Sequence, residues 1–248
     1  MSTWVRRAAG AAALVTATAG LAACGSDDDT ADVGDATGAE TSAFAEQDGA
    51  EVRDAAAAAM GELESLRVTG ELTVDGEQIS IDLASSSGGD CTGTIGVDGA
   101  DAEVLSAGGE TWFRPSEEFW RAQGGAQADQ IIELVDGRWV VLGGDEGFAE
   151  LCDLDQLLEE LLDEADEGTT YETGEVSDVD GVSAVAVVST DEDGEVSTGY
   201  IAVEEPHLLL RIEKTEGEEP GTVDFSEFDE PVEVEAPAAD DTVDLDNL

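Results

Sequence analysis

Asp-Gly pairs punctuate this chain at Asp75-Gly76, Asp98-Gly99, Asp136-Gly137, Asp180-Gly181 and Asp193-Gly194, and apolar and polar residues alternate beside them. Alternation of period two places one set of side chains on a buried face, and Asp-Gly between two such runs is the strongest short-range signal for a tight hairpin. Val68, Leu72 and Val74 alternate with Thr69, Glu71 and Thr73; beyond Asp75-Gly76 the alternation resumes at Ile79, Ile81 and Leu83. It recurs over Thr92 to Val97, Ala102 to Ser106 and Glu110 to Arg114, so Leu66 to Arg114 reads as an antiparallel meander. Further strands are predicted over Arg138–Leu142, Thr170–Val176, Val182–Ser189, Gly194–Val203, Leu208–Lys214 and Thr222–Phe225. The sum is about eleven strands. The fold class is α+β, a curved antiparallel sheet interrupted by helices.

Two of those helices are long. Val52, Ala55, Ala56, Ala59, Met60, Leu63 and Leu66 form one apolar stripe at helical spacing, predicting a helix from about Ala43 to Ser65. Its stripe is mostly alanine, which lets it lie close on a sheet. Phe148, Leu151, Leu154, Leu157, Leu158, Leu161 and Leu162 predict a second, from Asp145 or Asp153 to Ala165. Ser116, as a cap ahead of Glu117 and Glu118, predicts a short helix, and Asp129 to Leu134 another. The acidic stretch from Glu230 is expected to trail along the surface or fray.

Ahead of all this stand Arg6 and Arg7, an Ala-rich run from Ala8 to about Ala19, and Leu21-Ala22-Ala23-Cys24. A basic start, a short apolar run and small residues before a cut site describe an export signal. The run is too short to span a bilayer, which takes roughly 20 apolar residues. Leu-Ala-Ala-Cys resembles the bacterial lipobox. That resemblance implies cleavage after Ala23, acylation of Cys24 with a diacylglyceryl group (palmitate being a typical chain), processing by lipoprotein-processing enzymes, and a lipid anchor on the extracytoplasmic face of the cell membrane. The competing reading is an ordinary secreted protein whose signal happens to end near a cysteine; Arg6-Arg7 leaves the export route open. Residues 24–42 then form a self-repelling tether, whose reach is about 25 Å. The folded domain is expected over 43–237, with 238–248 an acidic tail.

Charge excludes one class of partner. With 61 acidic and 9 basic residues the formal charge is −52, and Lys214 is the only lysine. Such a chain repels nucleic-acid phosphates. Adaptation to high salt explains the excess more simply than a role for any one carboxylate, since ions screen the self-repulsion. With Cys24 assigned to lipid, Cys91 and Cys152 remain as an even pair in an oxidising compartment, and a disulfide between them is expected.

Catalytic motifs are missing. His207, the single histidine, follows Pro206 in a turn-like context, and neither a Gly-x-Ser-x-Gly elbow, a phosphate loop nor a His-Glu-x-x-His motif occurs. The loops at Asp178 to Gly181 and Asp191 to Gly194 lack the ligand set of a calcium loop and read as hairpin turns. The sequence therefore predicts a non-enzyme without a cofactor or metal.

The order of features resembles a known family. It comprises the lipobox and tether, a first helix into Leu66-Arg67-Val68, Cys91-Thr92-Gly93-Thr94 after a Gly-rich turn, Leu151-Cys152-Asp153-Leu154, Thr222-Val223-Asp224-Phe225-Ser226-Glu227-Phe228, Pro231-Val232 and Ala236-Pro237. In this order the chain resembles the LolA/LolB-like lipoprotein-carrier fold, in the LppX/LprG-type branch of actinobacterial lipoproteins. The resemblance implies an unclosed barrel, helices covering its mouth, and a hydrophobic cavity holding acyl chains of a lipid or glycolipid. Alternation assigns Leu72, Val74, Ile79, Ile81, Ile95, Val97, Trp112 and Trp139 to apolar faces, and these are the candidate cavity wall. A packed interior is the competing reading of the same positions. An envelope sensor or regulator, or a structural lipoprotein binding a protein partner, is the alternative function.

Overall fold

The computed structural model describes residues 42–142, 152–162, 168–217 and 219–245. Cys24, the signal segment, the tether through Thr41, and the parts of the second predicted helix before Cys152 and after Leu162 lie outside the described residues.

Twelve strands form one sheet among the described residues. They are β1 (Ser65–Val74), β2 (Glu77–Ser86), β3 (Cys91–Val97), β4 (Ala100–Ala107), β5 (Glu110–Pro115), β6 (Trp139–Leu142), β7 (Thr170–Val179), β8 (Val182–Thr190), β9 (Val196–Ala202), β10 (Leu209–Lys214), β11 (Gly221–Ser226) and β12 (Thr242–Val243). Their order across the sheet is β12-β6-β5-β4-β3-β2-β1-β11-β10-β9-β8-β7. The sheet is therefore two meanders, β1–β6 and β7–β11, sewn together where β1 pairs with β11. It does not close, since β7 and β12 form its edges. At β7 a register shift between Thr173 and Val176 interrupts the edge, which carries Glu172 and Glu175. A bulge and charge discourage pairing with another chain.

Three of the five Asp-Gly pairs form the tight hairpin turn their sequence demands. Asp75 and Gly76 take φ of 53° and 85°, Asp98 and Gly99 51° and 80°, and Asp180 and Gly181 51° and 90°. Positive φ at both central residues is what a right-twisted hairpin requires. Asp136-Gly137 does something else. Asp136, left-handed at φ 49°, ends α3 (Ala128–Val135), and Arg138 donates from Nε to the Val135 carbonyl at 3.0 Å and from Nη2 to Leu134 at 2.8 Å. A cation on the last carbonyls satisfies groups a helix end leaves open.

The first helix is shorter than its stripe predicts. α1 spans Gly49–Met60, because the Asp48 side chain accepts from the Ala50 amide and fixes the start there. Residues 43–46 form a turn instead, with Phe44 and Ala45 buried. Leu63 and Leu66, the last members of the stripe, are buried beyond the helix, Leu66 as part of β1. α2 (Glu117–Gln123) is capped by Ser116, whose hydroxyl accepts from the Phe119 amide at 3.2 Å. α4 spans Leu154–Leu162, with Asp153 accepting from the Gln156 amide.

The end of the chain also departs from expectation. Thr242 and Val243 pair in parallel with Trp139 and Val140 of β6, and Val243 is buried. Val243 reaches a small apolar cluster with Val135 and Val140, so burial and strand pairing hold it.

Helices and sheet meet on the concave side. Val52, Ala56 and Met60 of α1 and Leu154 and Leu158 of α4 pack on Leu66, Val68, Val185, Ile201 and Phe225. Phe119 of α2 and Cys152 pack on Leu83, Cys91, Ile95, Val104 and Phe113. Cys91 and Cys152 are joined by a disulfide with Cα atoms 5.3 Å apart across 61 residues of sequence. A loop of that length is worth about 4 kcal/mol in the chain-entropy account. The bond ties the start of α4 to β3.

An open-ended concave face

Register fixes which side chains share the concave face. Leu66, Val68, Gly70, Leu72 and Val74 of β1 stand opposite Ser85, Leu83, Ile81, Ile79 and Glu77 of β2, which in turn meet Cys91, Gly93, Ile95 and Val97 of β3. Across the other neighbour, Val68 and Gly70 face Phe225 and Val223 of β11. Six of the eight predicted wall residues thus come together: Leu72, Val74, Ile79, Ile81, Ile95 and Val97. Trp112 and Trp139 do not join them. Val104 pairs with Phe113, whose side chain belongs to the concave core, so Trp112 alternates onto the opposite face; Trp139 follows it through the Trp112–Val141 pairing. Both indoles are buried there, Trp139 beneath the Arg114 guanidinium at 4.4 Å from the ring centroid.

Burial along these strands runs in one direction. On β1 exposure rises from 1% at Leu66 and 4% at Val68 to 36% at Val74, with Leu72 half-buried. On β2 Ser85 and Leu83 are buried while Ile81 and Ile79 are half-buried. On β3 Cys91 and Ile95 are buried and Val97 is not; on β11 Phe225 is buried and Val223 half-buried. Helices α1 and α4, the disulfide and a row of buried hydroxyls at Ser85, Ser106 and Thr111 fill one end of the concave face. At the other end the described residues leave the apolar floor only half-covered.

Glycines allow neighbouring strands to approach this closely. A Cβ on Gly93 would collide with the Asp82 carbonyl oxygen of β2 and sit 2.8 Å from the Leu83 Cα, and one on Gly70 would lie 2.5 Å from the Thr222 carbonyl oxygen of β11. Strand glycines mark close backbone approach.

The half-covered end holds a cavity of about 380 Å³ whose apolar lining includes Leu72, Val74, Tyr171, Ile212 and Val223. Ligand sites span roughly 300–1,000 Å³. Asp191, Glu195, Glu219 and Lys214 stand at its rim. Lys214 donates to Glu195 at 2.8 Å, and its pKa is raised, first by that hydrogen bond, against some desolvation, and further by the charges of Glu195, Glu219 and Asp191. A larger recess of about 590 Å³ lies beside β4, β5, α2 and α3, but it mixes Trp120 and Ile132 with Asp101, Glu103, Glu117, Glu133 and Asp136 and lies away from the half-covered floor. The smaller cavity is the candidate site, because it continues an apolar floor.

Other predicted features fall into structural places. His207 stacks on Phe44 with centroids 3.6 Å apart, and its Nδ1 lies 3.2 Å from the Ala202 carbonyl oxygen. Asp191 accepts from the amides of Asp193 and Glu195, which makes it a turn residue. Asp178 likewise accepts from Gly181. Among the described residues no helix is long and apolar enough to cross a membrane.

A curved, unclosed sheet packed by helices at one end is a fold also seen in solved structures. Two solved structures carry the likeness: the lipoprotein LppX of Mycobacterium tuberculosis, 18% identical, covering 75% of this chain and 97% of that one at a TM-score of 0.51, and LprF of Mycobacterium bovis, 15% identical, covering 76% and 96% at 0.54. At these identities the likeness establishes the fold. No protein-family model matches the chain, and no curated protein matches it significantly.

Proposed function

We propose that this protein is an exported lipoprotein, anchored through Cys24 on the extracytoplasmic face of the membrane, that binds acyl chains of a lipid or glycolipid and carries or presents them. The observation that carries the reading is the one-way loss of burial along β1, β2, β3 and β11, which leaves Leu72, Ile79, Ile81, Val97 and Val223 only half-covered on the inner side of a curved sheet. An apolar floor left open costs free energy in water, about 25 cal/mol per Å², and an acyl chain would recover it. The likeness in fold to the lipoprotein LppX and to LprF supports the same direction. Native mass spectrometry of the protein purified from its own host tests it. Bound lipid, released on denaturation, is the expected result; protein that is lipid-free and takes up no added lipid refutes the reading.

A further inference from the structure

We infer that the rim cavity accepts an amphiphile whose headgroup offers hydrogen-bond donors and bears no negative charge, an uncharged hydroxylated head being the class that fits. This rests on the lipid-binding reading above and adds the headgroup to it. The apolar lining, Leu72, Val74, Ile212 and Val223, receives a chain. The head then lies among Asp191, Glu195 and Glu219. Ionised carboxylates only accept hydrogen bonds, so their partner must donate. A fatty-acid carboxylate or a phosphodiester has no donor to give and adds like charge.

Lys214 does not reverse this. It is the chain's only lysine and, among the described residues, the only cation lining the cavity, and its ammonium is already bonded to Glu195. The pair is built into the fold. Gly217, at φ 108°, passes so close that a Cβ there would sit 2.7 Å from Glu195 Oε1 and 3.2 Å from Lys214 Cε. Both side chains are mostly shielded, at 20% and 34% exposure. An anionic head would have to draw Lys214 away from Glu195 and leave three carboxylates facing it.

The test compares 1-monooleoylglycerol with oleate, each below its micellar concentration, binding to the full-length protein at pH 8 in 1 M NaCl. At that salt the Debye length is about 3 Å, so the field of the whole molecule is screened and contacts at the rim decide. Monooleoylglycerol should bind at least tenfold more tightly than oleate. Glu195→Gln releases Lys214 and should shrink that preference about tenfold; adding Lys214→Gln should restore it. Glu103→Gln makes the same charge change beside Arg114, outside the cavity, and should leave the preference unchanged. Equal binding of the two ligands, or a preference that Glu195→Gln leaves intact in a variant with wild-type melting behaviour, overturns the inference. Binding of neither ligand is a different result, which sinks the lipid-binding reading and this inference with it.

Discussion

Replacing Gly93 with alanine tests whether close strand approach shapes the concave face. The added methyl would overlap the Asp82 carbonyl oxygen and lie 2.8 Å from the Leu83 Cα and 3.0 Å from the Asp82 carbonyl carbon. Ordinary contact begins near 3.4 Å, so β2 must move by more than half an ångström at Leu83 and further at Asp82. Neither can move alone: Leu83 is 3% exposed in the core, and Asp82 pairs with Arg67. Overpacking of this kind costs about 1–3 kcal/mol, against which the stiffer unfolded chain returns about 0.4–1. The net loss should be about 1–2 kcal/mol, or roughly 2–8 °C in melting temperature for a domain of this size. Gly199→Ala is the control. It too lies on the concave face, but its Cβ would meet only the Leu209 Cδ1 at 3.5 Å and the Val187 carbonyl oxygen at 4.0 Å. That variant should melt at or slightly above the wild-type temperature. Thermal unfolding in molar salt, followed by near-ultraviolet circular dichroism, separates the two. Equal melting temperatures for both variants would refute the argument.

Four further outcomes are expected. Cys91→Ala with Cys152→Ala should lower stability by up to about 4 kcal/mol, and a reductant should do the same to wild type; unchanged denaturant midpoints would contradict this. Melting temperature should climb as NaCl rises from millimolar to molar, since the chain carries a formal −52; a flat profile would show the repulsion is already accommodated. Ile81→Trp should cut bound lipid per mole while the fold persists, because Ile81 lies on the half-covered floor; loss of about 1–3 kcal/mol without any change in loading would instead mark a packed site. Cys24→Ala should abolish incorporation of labelled fatty acid, and undiminished incorporation would rule out the anchor at that residue.

Much of the fold was legible because the local signals agree with each other. Alternation and Asp-Gly turns gave β1 to β5 in order, since hairpin pairing is set by neighbours in sequence. The Cys91–Cys152 bond followed from counting cysteines. What sequence could not supply was anything decided by distant partners. Trp112 and Trp139 satisfy the same alternation as Ile95 and Val97, and only the pairing of β4 with β5 and β5 with β6 shows them on the other face. The two-residue β12 has no pattern to read; it exists because Thr242 and Val243 reach β6. The predicted helix, Ala43 to Ser65, ran past both ends of α1 because burial continues where the helix does not: Phe44 is buried in a turn and Leu66 in a strand. Of the predicted wall, Leu72 and Val74 line the candidate cavity, and how far the rest of the apolar face is covered is set by packing that alternation does not report.

The seam between β1 and β11 has a consequence for how the chain acquires its structure. Each meander is made of local pairings, which form quickly. Joining them is not local: β1 must find β11, and α1, at the start of the domain, must dock on the later meander, where Gly49 abuts the Tyr171 backbone and the Gln47 carbonyl accepts from Thr173 Oγ1 at 2.6 Å. A chain emerging from a translocation pore N-terminus first would hold one edge of β1 and the apolar stripe of α1 without partners until nearly the whole domain had followed. The disulfide cannot help, because both its cysteines precede β7. Capture of that waiting edge by another chain is the hazard of such an intermediate. The β1–β11 seam is therefore the pairing that waits longest for its partner, because β11 follows β1 by most of the domain.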